Sequence, residues 1–451
     1  MDNMYFEKLL RRYRVLLPQQ KLVVIFLLYM LVGFVLLSLP FAQKTSVGFI
    51  DNLFTSASAV STTGLVTVPT GASYTFFGQL VILLLMQFSA LGYMSFSSFL
   101  FLQGHSKLPR ETKEIMKAEF SVPQDFNLNL FIKSIIFFTL FVESFGTLFL
   151  FLTFYFHGGG FFSSLWSGLF HAVSAFCTAG FTLYPDSMSG FLKVPFVTEL
   201  TSILALLGAF GFIPITEIAE NMMGRPKKIS YTSRSIFFSF LVLISFGGIM
   251  LAIFEPSLKN YDFSTRVYGA FAQAINAMTT AGYNNINLAV SSAPALCALM
   301  LLMFIGGAPA GTSGGIKTTT VVTLFAVLVS RLKGRDFVRF NGKDISQEKV
   351  FVASSALIFY MIVLYAVILL LTISENASFL EILFDSLAAL STAGLSLGLT
   401  EQMSAFGKLV LIFAMFVGRI GVITFGLAFF MRERQPRERE EEPAKKVDIA
   451  V

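Results

Sequence analysis

Residues 389–395 read Ala389-Leu390-Ser391-Thr392-Ala393-Gly394-Leu395, and the chain contains this pattern four times. When the copies are aligned on the glycine without gaps, each has threonine two residues before it and alanine five residues before it. The other copies are Ala59-Val60-Ser61-Thr62-Thr63-Gly64-Leu65, Ala175-Phe176-Cys177-Thr178-Ala179-Gly180-Phe181 and Ala277-Met278-Thr279-Thr280-Ala281-Gly282-Tyr283. The four glycines are separated by 116, 102 and 112 residues. Such regular self-similarity indicates four copies of one structural unit.

Long apolar runs flank every copy of the motif. They cover roughly 22–40, 74–102, 131–156, 196–220, 236–254, 294–330, 350–373 and 406–431. A helix needs about 20 residues to cross a bilayer, so each run is a candidate span. The motifs lie between successive pairs of runs, in segments too short to cross, which are expected to re-enter the membrane. We therefore predict an all-α polytopic membrane protein with four parallel helix–re-entrant pore segment–helix repeats around a pseudo-fourfold pore.

The composition excludes several classes of protein. Of the 451 residues, 55% are apolar, 13% are charged and 53 are phenylalanine. A soluble domain carries about 25% charged residues, so a soluble enzyme and a disordered chain are both disfavoured. The two cysteines, Cys177 and Cys297, do not make a disulfide framework.

The distribution of basic residues predicts the orientation. Of the 33 lysines and arginines, 26 fall in the segments on one side of the predicted spans and five on the other. Because basic loops mark the cytoplasmic face, both termini are expected inside, and the net charge does not indicate a nucleic-acid partner. The predicted units are an N-terminus at 1–21, repeats at 22–103, 127–223, 231–331 (with a broken second helix) and 349–431, and a charged cytoplasmic tail at 432–451.

The four motifs are predicted to form an ion path. Glycine reaches backbone angles that let successive carbonyls point at a central line, and rings of carbonyls can replace the hydration shell of a cation. The alternative, that small residues only permit close helix packing, explains neither the outer-side placement nor the fourfold recurrence. The predicted filter residues are Thr62, Thr63, Gly64, Thr178, Ala179, Gly180, Thr280, Ala281, Gly282, Thr392, Ala393 and Gly394.

With these motifs the chain resembles the membrane subunit of the Ktr/Trk/HKT potassium transporter family, over essentially residues 20–431. It is closer to the Ktr type, because its first span begins by residue 22, without two extra preceding helices. The resemblance implies potassium uptake through a channel-like pore in the bacterial plasma membrane, with potassium held at the filter backbone carbonyls. Serine at the first filter position accompanies sodium preference in plant relatives, whereas this chain has Gly64.

Two further features are expected to form a gate. The run at 294–330 is interrupted by a glycine-rich stretch, and Lys317 and Arg419 are charged residues within apolar runs, where a charge is expensive and usually functional. The alternatives are that the glycine-rich stretch is a flexible kink without a role, and that the Arg419 side chain extends to the membrane interface. The resemblance identifies the stretch as the family's intramembrane gating loop, with Arg419 facing the pore beside it. The predicted gating residues are Gly311, Thr312, Ser313, Gly314, Gly315, Lys317 and Arg419.

The resemblance also implies partners: a second copy in a homodimer, and a cytosolic ring of nucleotide-binding regulatory subunits of the KtrA type, besides the lipid bilayer itself. Sodium is a candidate activator, and no nucleotide-binding motif occurs in this chain. A secondary transporter with inverted repeats is disfavoured because each unit starts and ends on the same side. An intramembrane enzyme is disfavoured because the three histidines lack metal-type spacing.

Other polar residues within the apolar segments are expected to make structural hydrogen bonds and not to bind ions. Thr55, His171, Gln273 and Asp385 each lie nine residues before a motif glycine, where they are expected to anchor pore helices by hydrogen bonds. Glu143 is expected to pair with a neighbouring polar group, and a proton relay is the lesser alternative.

Overall fold

The computed structural model describes residues 16–92, 128–222 and 229–430, and these ranges are mainly helical. Several parts of the predicted units lie outside these ranges. They are 1–15 of the N-terminus, 93–103 of the first repeat, 127 and 223 of the second, 431 of the fourth, and the whole tail at 432–451. The longer helices are α1 (Pro18–Leu37), α2 (Phe49–Ser61), α3 (Phe76–Leu91), α4 (Leu128–Phe156), α5 (Phe161–Phe176), α6 (Pro195–Ala209), α7 (Phe212–Met222), α8 (Tyr231–Phe254), α9 (Phe263–Met278), α10 (Ala293–Phe304), α11 (Thr318–Leu332), α12 (Gln347–Ser374), α13 (Phe379–Leu390), α14 (Ala405–Ile420) and α15 (Val422–Phe430).

Shorter elements connect these helices. Single helical turns lie at Pro40–Ala42, Thr70–Ser73, Ser189–Phe191, Pro256–Leu258, Leu288–Val290 and Leu399–Gln402. After α11, strands β1 (Arg339–Phe340) and β2 (Lys343–Asp344) form an antiparallel hairpin in which Arg339 is opposite Asp344.

The chain repeats one order of elements four times: a long helix, a shorter helix ending at a motif, and an outgoing helix. The long helices α1, α4, α8 and α12 have 20–29 residues and are apolar enough to cross a membrane. The shorter helices α2, α5, α9 and α13 have 12–16 residues, too few for a span. Their last turns are buried, so small side chains such as Ala59 and Ala389 pack closely there.

Sequence features explain where several helices begin. The Ser378 hydroxyl and the Glu381 carboxylate cap the start of α13 reciprocally, a capping box that satisfies backbone donors at the helix end. Hydroxyl side chains Thr75, Ser230, Ser292 and Ser404 likewise accept hydrogen bonds from the first turns of α3, α8, α10 and α14.

Two expected spans are bent, which is a correction to the sequence-based prediction. The run at 196–220 forms α6 and α7, which meet at 85°, and the run at 406–431 forms α14 and α15, which meet at 96°. The breaks occur at Gly211 (φ +86°) and Gly421 (φ +90°), a left-handed conformation that glycine adopts without strain. Within the run at 294–330, where the sequence predicts an interruption, residues 305–317 form a loop between α10 and α11.

Large apolar side chains remain exposed along the long helices. Phe141 on α4 is 72% exposed and Tyr365 on α12 is 69% exposed, and many neighbours are similar. A helix surface that is this apolar is stable against lipid rather than water. The phenylalanine-rich composition therefore covers the outside of the bundle as well as its interior.

Candidate functional site: a ring of four glycine segments

The four short helices α2, α5, α9 and α13 end in the same backbone turn. The motif threonine after each helix is left-handed, with φ between +50° and +56°, and its N–H donates to the carbonyl of the motif alanine at 3.0–3.2 Å. The next N–H reaches back to the carbonyl five residues earlier, at 2.7–2.9 Å. This is a Schellman ending, which satisfies carbonyls that a helix end leaves free. The motif alanine and threonine therefore occupy the same places in this turn in all four repeats.

The residues that follow, which we call the glycine segments (62–64, 178–180, 280–282 and 392–394), form a closed ring. A Cβ on Gly64 would lie 2.4 Å from the carbonyl oxygen of Ala179, in the next repeat. A Cβ on Gly180 would likewise lie 2.5 Å from the Ala281 oxygen. A Cβ on Gly282 would lie 2.7 Å from the Ala393 oxygen, and one on Gly394 would lie 2.0 Å from the Thr63 oxygen. Each glycine thus abuts a carbonyl of the next repeat, in chain order, and the fourth returns to the first. All twelve residues singled out in the motifs meet here.

Side chains at one position of each repeat hold the chain that follows the glycine, which confirms their anchoring role. The position is nine residues before the glycine. The bonds are Tyr74 Oη to Thr55 Oγ1 (3.2 Å), Leu183 N to His171 Nε2 (3.3 Å), Asn285 N to Gln273 Oε1 (2.8 Å) and Thr400 Oγ1 to Asp385 Oδ2 (2.7 Å). The residue type varies, but in each repeat the side chain supplies a hydrogen-bond acceptor, and Asp385 accepts from Ser396 and Leu397 as well as from Thr400.

A cavity lies on each side of the ring. The first, about 500 Å³, is lined by all four motif glycines and by the chain that follows them, and we call it the outer cavity. The second, about 340 Å³, is lined by the α10–α11 loop and by Arg419, and we call it the loop cavity. Of the predicted gating residues, the loop cavity is lined by Gly311, Ser313, Gly314, Gly315, Lys317 and Arg419.

The α10–α11 loop touches a motif threonine in three repeats directly. Thr312 Oγ1 lies 3.2 Å from Thr178 Oγ1 and donates to the Phe176 carbonyl at 3.1 Å. The Gly314 N–H donates to Thr280 Oγ1 at 2.9 Å, and a Cβ on Gly314 would lie 2.1 Å from Thr392 Oγ1. The loop is therefore fitted directly beneath the ring.

Arg419 completes the contact in the first repeat. Its Nη1 donates to Thr62 Oγ1 (2.7 Å) and to the Thr312 carbonyl (2.6 Å), and Nη2 donates to the Ser89 carbonyl (2.6 Å). The sequence predicts this arginine within a continuous span, but it lies in the last turn of α14, two residues before the bend at Gly421. The bend directs the guanidinium at the loop.

The second charged residue of the loop cavity is held within the loop itself. The Lys317 Nζ donates to the carbonyl of Ser313, and Lys317 immediately precedes α11. The described residues that line the loop cavity include two basic side chains, those of Lys317 and Arg419, and no carboxylate. The cavity beneath the ring is consequently electropositive.

A buried polar cluster stands behind the second glycine segment. Glu143 accepts from Gln87 Nε2 at 2.9 Å, and Cys177 lies within 3.5 Å of Gln87 Oε1. The expected pairing of Glu143 is confirmed. Sequence reasoning missed Gln87 and Ser89. Gln87 could have been found as an isolated amide within a long apolar run, whereas Ser89 contributes only its carbonyl to Arg419 and gives no such signal.

Known proteins resemble this chain along nearly its whole length. Residues 8–439 match the TrkH family, described as cation transport proteins. The Ktr system potassium uptake protein B of Bacillus subtilis is 31% identical over 421 residues, covering 92% of this chain and 94% of that protein. The potassium/sodium uptake protein NtpJ of Enterococcus hirae is 29% identical, covering 95% and 96%. The crystal structure of the potassium transporter TrkH from Vibrio parahaemolyticus has the same fold, with a TM-score of 0.70 at 20% identity over 90% of this chain and 83% of that one.

Proposed function

Because this chain belongs to the TrkH family of cation transport proteins, we propose that it mediates potassium uptake through a channel-like pore at the centre of the ring. Membership confirms the resemblance inferred from the motifs, and it identifies a membrane transport protein rather than an enzyme. The named substrate of the Bacillus subtilis relative supports potassium as the ion.

One observation carries the proposal: four glycine segments meet edge to edge around one axis. A ring of backbone carbonyls can replace the water around a cation with no side chain present. Four helices also end at the ring, and the carboxyl end of a helix carries a partial negative charge that favours a cation. In this proposal the filter residues are the twelve motif residues, and the outer cavity is the vestibule through which the ion approaches.

We further propose that the α10–α11 loop is the gate. It would obstruct the path beneath the ring, because it contacts the motif threonines and contributes Lys317 to the lining of the loop cavity. Arg419 would hold the loop closed and add a fixed positive charge that repels cations. Opening would require the loop to release Arg419 and Thr312 together.

We also propose an orientation and partners, on the basis of the basic residues and of the resemblance to the Ktr type. Four repeats at the predicted boundaries span a bacterial plasma membrane, with both termini on the cytoplasmic side, as the basic residues favour. The chain works as a homodimer with a cytosolic nucleotide-binding ring of the KtrA type, which acts on the loop. Sodium is retained as a candidate activator, supported by the potassium/sodium name of the Enterococcus relative.

The filter is tested by replacing each motif glycine with serine. An added side chain at Gly394 would meet the Thr63 carbonyl oxygen at 2.0 Å, so the carbonyl must move and the ion loses a ligand. If this loss is worth about 1.4 kcal/mol, the ratio of potassium to sodium flux falls about tenfold. Flux is measured as isotope uptake into proteoliposomes, and function as growth of a potassium-uptake-deficient bacterium in low potassium.

Gly158→Ser is the matched control. Gly158 also has a positive φ, but no atom outside its neighbours lies within 4 Å of its Cβ position. This variant carries the same backbone strain without the close approach, and we expect wild-type selectivity. If the wild-type chain, expressed with a regulatory subunit of the KtrA type, supports neither growth nor potassium flux, the proposed function is wrong. If the four glycine variants match Gly158→Ser in selectivity, the filter assignment is wrong.

A further inference from the structure

A third cavity lies far from the ring, between the start of α8, the side of α11 and the β1–β2 hairpin. Its volume is about 410 Å³, and its lining includes Tyr231, Arg234, Phe238, Phe340 and Lys343. The Tyr231 hydroxyl donates to the Phe340 carbonyl at 3.0 Å, and the two rings pack edge to face. The hairpin is thereby fixed against α8, so the cavity is already formed without a ligand.

The charges that face this hairpin cavity are basic. Arg234 and Lys343 line it, and Lys343 Nζ lies 5.5 Å from the centre of the Tyr231 ring. No carboxylate is among the described lining residues. An anion within the cavity would therefore meet two cations.

The nearby carboxylates are already engaged. Asp344 forms a 2.6 Å ion pair with Arg339, whose hydrogen bond holds the pKa of that carboxyl below its usual value, so the pair stays ionised at neutral pH. Glu217 accepts from the Ser230 N–H (3.1 Å) and from the Ser233 hydroxyl (2.9 Å) at the start of α8. These contacts leave the basic pair in the cavity uncompensated.

The same cavity continues into an apolar outer surface. Phe238, which lines it, is 63% exposed, and Leu241 one turn further along α8 is 56% exposed. On α11, Phe325 and Leu328 are 56% and 54% exposed. A ligand that fits both parts has an anionic head and apolar chains.

We propose that the hairpin cavity binds the headgroup phosphate of an anionic phospholipid, whose acyl chains lie along the exposed faces of α8 and α11. This proposal rests on the proposed membrane orientation, which places the cavity at the cytoplasmic leaflet. Anionic lipids are attracted to basic residues there, and tyrosine is enriched at the membrane interface. Arg234 would bind the phosphate with its planar fork and Lys343 as a point charge.

The proposal is tested by native mass spectrometry of the detergent-solubilised full chain with added phosphatidylglycerol. Phosphatidylcholine with the same acyl chains and soluble glycerol 3-phosphate are the comparison ligands. We expect phosphatidylglycerol to bind more tightly than both. Two basic residues near an anionic surface contribute enough that Arg234→Gln with Lys343→Gln should weaken this binding about 30-fold.

A charge-matched control is Arg331→Gln with Lys333→Gln, two exposed residues at the end of α11 that do not line the cavity. It should retain wild-type binding. Equal losses in both double variants would show bulk attraction and overturn the site, as would unchanged binding in the cavity variant. If glycerol 3-phosphate bound as tightly as phosphatidylglycerol, the assignment of a lipid would be overturned. If the cavity variant lost a co-purifying cytosolic protein but still bound phosphatidylglycerol, the cavity would be a protein contact instead. Lipid binding is measured without ion flux. A failure of the proposed potassium uptake can therefore be distinguished from a failure of lipid binding.

Discussion

At the scale of single residues, the ring and the loop meet mainly through hydroxyls and one guanidinium. The motif threonine is left-handed in every repeat, an uncommon conformation for a β-branched residue, and its backbone N–H is used by the helix ending. Its side chain is then free to contact what lies beneath the ring. In the first repeat that contact is Arg419, which bonds Thr62 and the loop residue Thr312 at the same time.

We expect Arg419→Gln to raise the basal potassium flux of the purified chain in proteoliposomes. Hydrogen bonds to charged groups contribute about 1.5–3 kcal/mol each, so losing the three seen here should shift the loop toward release by more than about tenfold. Selectivity should change little, because the glycine segments are untouched.

Arg419→Lys separates the positive charge of the arginine from its hydrogen bonds to the loop and to the ring. Lysine keeps the positive charge but lacks the planar fork that spans three oxygens, so the flux should lie between those of wild type and Arg419→Gln. A lysine variant equal to wild type would assign the barrier to charge alone. Wild-type flux in Arg419→Gln would contradict both roles.

At the scale of elements, the α10–α11 loop is held by the helices of other repeats. The Thr312 N–H donates to the Gly208 carbonyl at 3.1 Å, and the Ala308 N–H to the Ala209 carbonyl at 3.0 Å, both at the end of α6. The bend between α6 and α7 leaves these carbonyls without helical partners. The end of α6, in the second repeat, thus binds the α10–α11 loop of the third repeat.

Thr312→Val tests the contact of this loop with the end of α5, with almost no change of shape. The variant loses the hydroxyl that donates to the Phe176 carbonyl, a bond worth about 1 kcal/mol, so basal flux should rise about fivefold. Thr312→Ser keeps the hydroxyl and should behave as wild type in the same proteoliposome assay. Equal flux in the two variants would mean that this hydroxyl does not restrain the loop.

Sequence alone predicts the four units and their ring residues because alanine, threonine and glycine recur at the same spacing four times. It also predicts the broken helix, since its glycines are adjacent in the chain. The 96° bend at Gly421 is not predictable, because the apolar pattern is the same on both sides of it. The hairpin cavity depends on Arg234 and Lys343, which are far apart in sequence and meet only after folding.

At the scale of the whole molecule, a ring of four repeats in one chain must join its last repeat to its first. Besides helix packing, three polar side chains among the described residues take part in that closure. Gln20 Nε2 donates to the Ala428 carbonyl (3.0 Å), Arg419 bonds Thr62, and Lys408 Nζ pairs with Asp51 at 2.7 Å. The other junctions follow the chain order, whereas this junction has no covalent connection to support it.

The Lys408–Asp51 pair gives the final prediction, that Lys408→Met weakens the closure. The two side chains are 15% and 21% exposed, so the unpaired carboxylate remains partly desolvated, although its place in the first turn of α2 favours a negative charge. We expect the midpoint of thermal denaturation in detergent to fall by a few degrees. The potassium-to-sodium flux ratio should also fall, because the closing junction contains the contact of Gly394 with Thr63. Lys193→Met, at an exposed lysine, is the control, and the exchange Asp51→Lys with Lys408→Asp should restore both quantities. A Lys408→Met variant that matches Lys193→Met in midpoint and in flux ratio would show that the ring closes without this pair.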